Sequence, residues 1–103
     1  MASSPTPPPV RRAMVRIGSD LSSWRKLRAL TAAEVGDRAG IGTNTVLRLE
    51  AGDGATLENV LRVARALGVL EQVTAAFDPY STDVGRMRAD EQLPTRVRRP
   101  REP

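Results

Sequence analysis

Four side chains between residues 43 and 48 suit the reading of DNA bases better than they suit a chemical reaction. Asn44 carries the donor and acceptor that pair with adenine, and the Arg48 guanidinium can donate two hydrogen bonds to guanine. Thr43 could contact a base or a phosphate, and Leu47 could touch a thymine methyl group. All four could instead be ordinary solvent-facing residues of a small helical bundle, so the elements that position them must decide.

The composition argues against catalysis and metal binding. The 103 residues contain neither Cys nor His, which excludes disulfides, zinc-finger spacing and the Ser/His/Asp and Cys/His nucleophile systems. Acidic pairs such as Glu34 with Asp37 are better explained by helix capping and surface charge than by acid–base work. We therefore predict no enzymatic activity, no cofactor and no metal site.

The positive charge is concentrated at the two ends of the chain. Residues 1–16 carry +3 and residues 81–103 carry +2, whereas residues 17–80 carry −1 from seven bases and eight acids. Basic ends beside a nearly neutral middle suit a polyanion such as double-stranded DNA, because phosphate contacts with counterion release supply most sequence-independent affinity. The alternative is that both ends are merely solubilising tails.

Length and local composition predict one small domain over residues 17–78 with an arm at each end. Residues 1–16 have four prolines among their first ten positions and are expected to form a disordered arm. Residues 79–103 are expected to form an irregular Arg-rich tail, with one short helix around 83–92 as an option. No apolar run approaches the ~18 to 20 residues of a membrane span, and no signal peptide is visible, so we expect a cytoplasmic protein without membrane contact.

Apolar residues at helical spacing predict the first two helices. The first begins near residue 17 with Ser19 or Asp20 as its cap, and a second opens with the capping-box pair Thr31 and Glu34. Gly40 can end the second helix because glycine adopts the left-handed conformation without steric cost. The apolar stripe of the first helix consists of Ile17, Leu21, Trp24, Leu27 and Leu30.

Three further helices follow in the predicted domain. The third starts near Thr43, buries Val46 and Leu49 and is closed by Gly52. The fourth has Thr56 as its N-cap and ends at Gly68. The fifth must stop at Asp78-Pro79, because proline disfavours helical conformation before it. The fifth is built on Leu70, Val73, Ala76 and Phe77.

Two short helices joined at Gly40, with small hydrogen-bonding side chains opening the second, have the layout of a helix-turn-helix. The stretch from Leu30 to Gly52 resembles the lambda-repressor-like (Xre, or Cro/CI-type) DNA-binding domain, and the stretch from Thr56 to Val69 resembles its fourth helix. The resemblance covers roughly residues 17–77. It implies an all-α, five-helix DNA-binding domain whose third helix enters the major groove.

The resemblance also implies roles for individual residues. Arg25 and Glu50 stand where family members pair a first-helix Arg with the Glu that closes the recognition helix. Gly40, Val46 and Leu49 would support the motif. Ala32 replaces a frequent Gln, and Gly42 replaces a Ser or Thr cap, so we expect modest affinity per monomer. Phosphate contact or support is implied for Thr31, Ala32, Gly42, Thr45 and Ala51.

The last third of the chain carries a second resemblance. The segments from Ala75 to Tyr80 and from Thr82 to Pro94 resemble small HipB-like antitoxins, whose usual partner is a HipA-like kinase toxin. Two hypotheses stay open: a dimeric sequence-specific repressor that could regulate its own operon, and an antitoxin that neutralises a toxin through protein contacts. Both require a homodimer, because one domain of this size buries too little DNA interface for tight specific binding.

Overall fold

The computed structural model describes residues 4–93 of the chain. In this range it is all-helical, as predicted, and residues up to Leu70 and from Glu71 onward form two compact units. Six α-helices occur among the described residues, the five predicted for the domain and the optional one around 83–92, and a 3-10 helix over Pro79–Ser81 precedes the last. The α-helices are α1 (Pro8–Leu27), α2 (Ala32–Ala39), α3 (Thr43–Glu50), α4 (Leu57–Leu67), α5 (Leu70–Ala76) and α6 (Asp83–Gln92).

The first helix begins much earlier than predicted. α1 starts at Pro8, so the expectation of a disordered arm over residues 1–16 is wrong from residue 8 onward, while residues 1–3 lie outside the described range. Proline at the first helical position has its φ preset and lacks an N–H that would find no helical partner there, so the prolines start this helix. The predicted caps Ser19 and Asp20 consequently lie inside the helix.

α1 approaches the end of α3 so closely that two glycines are required. A Cβ atom placed on Gly18 would lie 2.6 Å from the carbonyl oxygen of Glu50, and one placed on Gly52 would lie 2.7 Å from the Cα atom of Val15. Real Cβ atoms do not come this near to backbone. Gly52 also has φ of +77°, the left-handed region that glycine alone enters without cost.

This approach decides which face of α1 is buried. Leu21 is buried and Gly18 lies against α3, but Leu27, which the predicted stripe places on the buried side, is 76% exposed and Ile17 is half exposed. The stripe is therefore wrong at both positions, because the contact at Gly18 sets the rotation of the helix. The buried apolar residues of the first unit are Leu21, Val35, Ala39, Val46, Leu49, Val63, Ala64, Leu67 and Val69.

The local signals at the starts and ends of α2 and α4 are confirmed. Thr31 Oγ1 accepts from the Glu34 N–H at 3.0 Å, and Glu34 Oε1 accepts from the Thr31 N–H at 2.8 Å, which is the complete capping box. α2 ends at Gly40 and α4 at Gly68, both left-handed, and Thr56 caps α4 by accepting from the Asn59 N–H. These contacts need only residues close in sequence, which is why pattern alone predicts them.

Arg28 joins α1 to α4 at the far end of the first unit. Its Nε donates to the carbonyl oxygen of Leu67 at 3.0 Å, which satisfies one of the last carbonyl groups of α4. Its guanidinium also lies over the Trp24 ring, 5.1 Å from the ring centre, within the range of a cation–π interaction. The next residue, Ala29, has φ of +57° and is the one non-glycine residue with positive φ among those described.

The second unit contains more regular structure than predicted. The option of a short helix over 83–92 is correct, since α6 covers Asp83–Gln92, so the irregular tail is wrong there. Thr82 Oγ1 caps α6 by accepting from the Gly85 N–H at 2.9 Å. The Arg-rich stretch from residue 94 to 103 lies outside the described residues. Among those described, no helix has both the length and the apolar content to cross a bilayer.

Candidate nucleic-acid interface

α3 turns two opposite faces to the core and to the solvent. Val46 is fully buried and Leu49 is 6% exposed, as predicted. Because an α-helix has 3.6 residues per turn, the other side chains of α3 project in different directions, and several of them face the solvent. The solvent-facing side holds all four residues predicted to read bases, and each of them is exposed. They are Thr43, Asn44, Leu47 and Arg48.

The polar side chains on this exposed face have no partners within the described part of the chain. Thr43, Asn44 and Arg48 form no side-chain hydrogen bond or ion pair there. The amide of Asn44 and the guanidinium of Arg48 are therefore available to donate to an external acceptor. Such side chains can pair with the donor and acceptor groups of base edges in a major groove.

The orientation of α3 is fixed by an ion pair to α1. Arg25 Nε donates to Glu50 Oε2 at 2.6 Å and Arg25 Nη2 donates to Glu50 Oε1 at 3.0 Å, so the two groups meet fork to fork. Arg25 Nη1 also donates to the carbonyl oxygen of Leu30 at 3.0 Å, in the loop before α2. The hydrogen bonds that Arg25 donates to the Glu50 carboxylate raise the pKa of Arg25, although burial opposes this shift.

The residues implied in phosphate contact or support lie at helix ends. Thr31 is the N-cap of α2, and Ala32 follows it partly buried. Gly42 is the N-cap of α3 and provides no side-chain cap, which leaves the first N–H groups of that helix without one. Thr45 lies half-buried in the first turn of α3, and Ala51 is the exposed C-cap.

An open cleft of about 440 Å³ adjoins the exposed face of α3 and extends to the start of α4. Sequence reasoning missed the α4 side of this cleft, including Asn59, which lies three residues after the Thr56 cap. That spacing places Asn59 in the first turn of α4 and was the available signal. The cleft is lined by Thr45, Arg48, Asp53, Gly54, Ala55, Thr56 and Asn59.

The cleft beside α3 carries little free positive charge. Arg48 is the one cation lining the cleft among the described residues, and Asp53 lines it too. Arg62, on the neighbouring α4, is occupied by Glu58 Oε2 at 2.9 Å and by the carbonyl oxygen of Ala39 at 3.0 Å, where it caps the end of α2. Within the described part of the chain, the cleft itself therefore offers one unpaired guanidinium to a phosphate.

A family model described as helix-turn-helix matches residues 21–72 of the chain, from within α1 to the start of α5, and so includes α2, α3 and α4 entirely. No curated protein and no solved structure matches the chain.

Proposed function

This chain belongs to the lambda-repressor-like helix-turn-helix family, and on that premise we propose that it reads a specific DNA sequence with α3 in the major groove. The family is one of DNA-binding proteins and not of enzymes, and the chain is in this broad sense a DNA-binding transcription regulator.

The observation that carries the proposal is the exposed face of α3. Asn44 and Arg48 are exposed and without partners among the described residues, on a helix held in place by Val46, Leu49 and the Arg25 pair. Because the helix backbone is already ordered, only the side chains lose freedom on binding, which favours affinity. We assign Arg48 to guanine and Asn44 to adenine, with Thr43 and Leu47 beside them.

The neighbouring helix ends would hold the DNA backbone. The N–H groups at the starts of α2 and α3, next to Thr31, Ala32 and Gly42, are oriented by their helices as anion-binding groups. Thr45 and Ala51 flank the same surface. Ala32 cannot donate a side-chain hydrogen bond, so in this proposal phosphate contact at the start of α2 depends on backbone groups.

We infer a dimeric repressor from the size of this surface. One eight-residue recognition helix contacts too few base pairs for tight specific binding. A homodimer would present two such helices to half-sites about 34 Å apart, one turn of the DNA helix. Binding over a promoter, including its own, would then block transcription.

The test is the affinity of the full chain for its own upstream DNA and for a scrambled duplex, measured over a series of salt concentrations. We expect Arg48→Ala and Asn44→Ala to remove the preference for the upstream DNA. Arg88→Ala is the matched control, since it removes one exposed arginine from α6 and should leave the preference intact. Unchanged preference in both α3 variants would show that α3 does not read DNA.

A second candidate function is that of a HipB-like antitoxin, which binds and neutralises a HipA-like kinase toxin. The observation that favours it is the apolar surface of the second unit, where Phe77 is 87% exposed and Val84 and Met87 are more than half exposed. Exposed apolar residues close together in the sequence suit contact with another protein. DNA binding would then be accessory to toxin capture.

A further inference from the structure

The proposed base-reading face of α3 needs cations nearby that can contact the DNA phosphates. Residues 17–80 carry a net charge of −1, yet binding to DNA depends strongly on cations that contact phosphate. The nearest surplus in the sequence is the first half of α1, where Arg11, Arg12 and Arg16 are all exposed. Because this segment is helical, helix geometry determines where each of the three points.

Met14 and Val15 of α1 lie beside the turn between α3 and α4. Val15 lies directly against Gly52, and the Met14 Cε atom is 3.8 Å from the position of a Cβ atom on Gly54. Gly54 and its neighbour Asp53 also line the cleft next to α3. The first half of α1 therefore borders the surface that we propose to face DNA.

Arg11 lies on the face of α1 that is turned toward α3. Residues seven apart on a helix drift by only about 20°, so Arg11 lies in one row with Gly18 and Arg25. Gly18 lies against the Glu50 carbonyl and Arg25 binds the Glu50 side chain, so this row faces α3. Arg11 extends the row one helical turn beyond Val15, past the turn that lines the cleft.

The other two arginines point elsewhere. Arg12 follows Arg11 by 100° around the helix, and Arg16 lies nearly opposite Gly18. Arg16 also pairs with Asp20, with 3.5 Å between Nε and Oδ2. Arg11 and Arg12 have no ion pair within the described residues. The two are thus alike in charge, exposure and position along the chain, and they differ in direction.

We propose that Arg11 contacts a DNA phosphate beside the base-reading site, so that the extended start of α1 is a second DNA-binding element. This inference rests on the proposed function of α3. The contact belongs to a helix and not to a flexible arm, so the backbone is already ordered before DNA arrives and only the side chain loses freedom. A phosphate contact adds affinity for every sequence and does not discriminate between bases.

The experiment compares Arg11→Gln with Arg12→Gln in the full chain. The dissociation constant for the upstream duplex and for a scrambled duplex is measured at several salt concentrations. Each phosphate contact contributes about 0.9 to the slope of log K against log salt. We expect Arg11→Gln to reduce the slope by about that amount on both duplexes and Arg12→Gln to change it much less. Equal changes in the two variants, or no change in either, would overturn the proposal.

The outcome for Arg11 is separable from the outcome for α3. If Arg48→Ala abolishes the sequence preference while Arg11→Gln leaves the slope unaltered, α3 reads DNA and the inference about Arg11 alone is wrong. If Arg48→Ala and Asn44→Ala leave the preference intact, the proposed function itself is wrong. Thermal unfolding by circular dichroism serves as the folding control, and both Gln variants should melt with the parent, since neither arginine makes a side-chain bond within residues 4–93.

Discussion

Arg25 of α1 and Glu50 of α3 meet fork to fork across 25 residues of sequence, with donor–acceptor distances of 2.6 and 3.0 Å. Their side chains are only 15% and 10% exposed, so solvent screens this pair less than an ordinary surface pair. The pair attaches the last residue of α3 to α1. It is the one polar contact between α1 and α3 among the hydrogen bonds of the described residues.

Removing one member of this pair should destabilise the domain. Glu50→Ala leaves the Arg25 guanidinium partly buried without its acceptor, a change that typically costs about 1–3 kcal/mol. Arg25→Lys should also lose stability, because an ammonium group cannot occupy both carboxylate oxygens in the same planar arrangement. Urea unfolding of each variant gives the free energy of unfolding.

The exposed pair Arg62 with Glu58 provides the control. Glu58→Ala should change the free energy of unfolding by less than about 1 kcal/mol, because exposed pairs at i,i+4 contribute little. If Glu50→Ala lowers the free energy of unfolding no more than Glu58→Ala does, the Arg25 pair does not hold α3 in place.

Glu34 should titrate below the usual range of a glutamate. The Thr31 N–H and then the Thr31 hydroxyl lower the pKa of its carboxyl group. A carboxyl group with a depressed pKa in the folded state stabilises that state above its unfolded pKa, and the benefit is lost as pH falls through the folded pKa. NMR titration of the Glu34 side chain measures the shift directly.

Thr31→Ala should move the Glu34 pKa part of the way back, because it removes the hydroxyl but keeps a backbone N–H. Thr56→Ala removes the corresponding cap of α4 and should leave the titration of Glu34 unchanged. An identical Glu34 titration in the parent and in Thr31→Ala would mean that the capping box is not formed in solution.

Substitution of Ala29 with glycine should increase the stability of the domain. It follows the end of α1 with φ of +57°, where a side chain costs roughly 1–2 kcal/mol and glycine has no such penalty. Part of this gain is offset by the greater freedom of glycine in the unfolded chain, so we expect Ala29→Gly to stabilise by about 0.5–1 kcal/mol. Ala13→Gly, at an exposed position inside α1, should destabilise by a similar amount. Thermal melts that fall in both variants would contradict the left-handed conformation of Ala29.

The antitoxin hypothesis predicts that the second unit captures a toxin. Deletion of residues 79–103 should abolish co-purification of a HipA-like kinase while leaving binding to upstream DNA largely intact. The double substitution Val84→Ser with Met87→Ser should do the same without shortening the chain, because it removes the apolar surface of α6. Leu27→Ser, which changes an equally exposed apolar residue of α1, is the control. Loss of DNA binding on deletion would instead make this segment a DNA arm or a dimer element.

The sequence predicts those structural features that depend on residues close to one another along the chain. The capping box at Thr31, the stop at Gly40 and the buried pair Val46 and Leu49 require only neighbours along the chain, and pattern alone identifies them. The Arg25–Glu50 pair could be anticipated only through the family resemblance, because nothing in either segment alone indicates its partner.

The rotation of α1 depends on tertiary contacts and was missed for that reason, whereas its start at Pro8 follows from a local proline signal. The exposure of Leu27 follows from the approach of Gly18 to the Glu50 carbonyl, a contact between segments more than thirty residues apart. The bond from Arg62 to the Ala39 carbonyl is of the same kind, since an arginine on an exposed helix face gives no sign of which carbonyl it will reach.

The position of Trp24 gives the protein a built-in optical probe. It is the only tryptophan of the chain, it lies on α1, and a guanidinium from Arg28 that is bonded to the last turn of α4 stands over its ring. Because the second unit has no tryptophan of its own, intrinsic emission excited at the red edge arises from the first unit alone. The unfolding of the first unit can thus be followed in real time without a label and independently of the second unit.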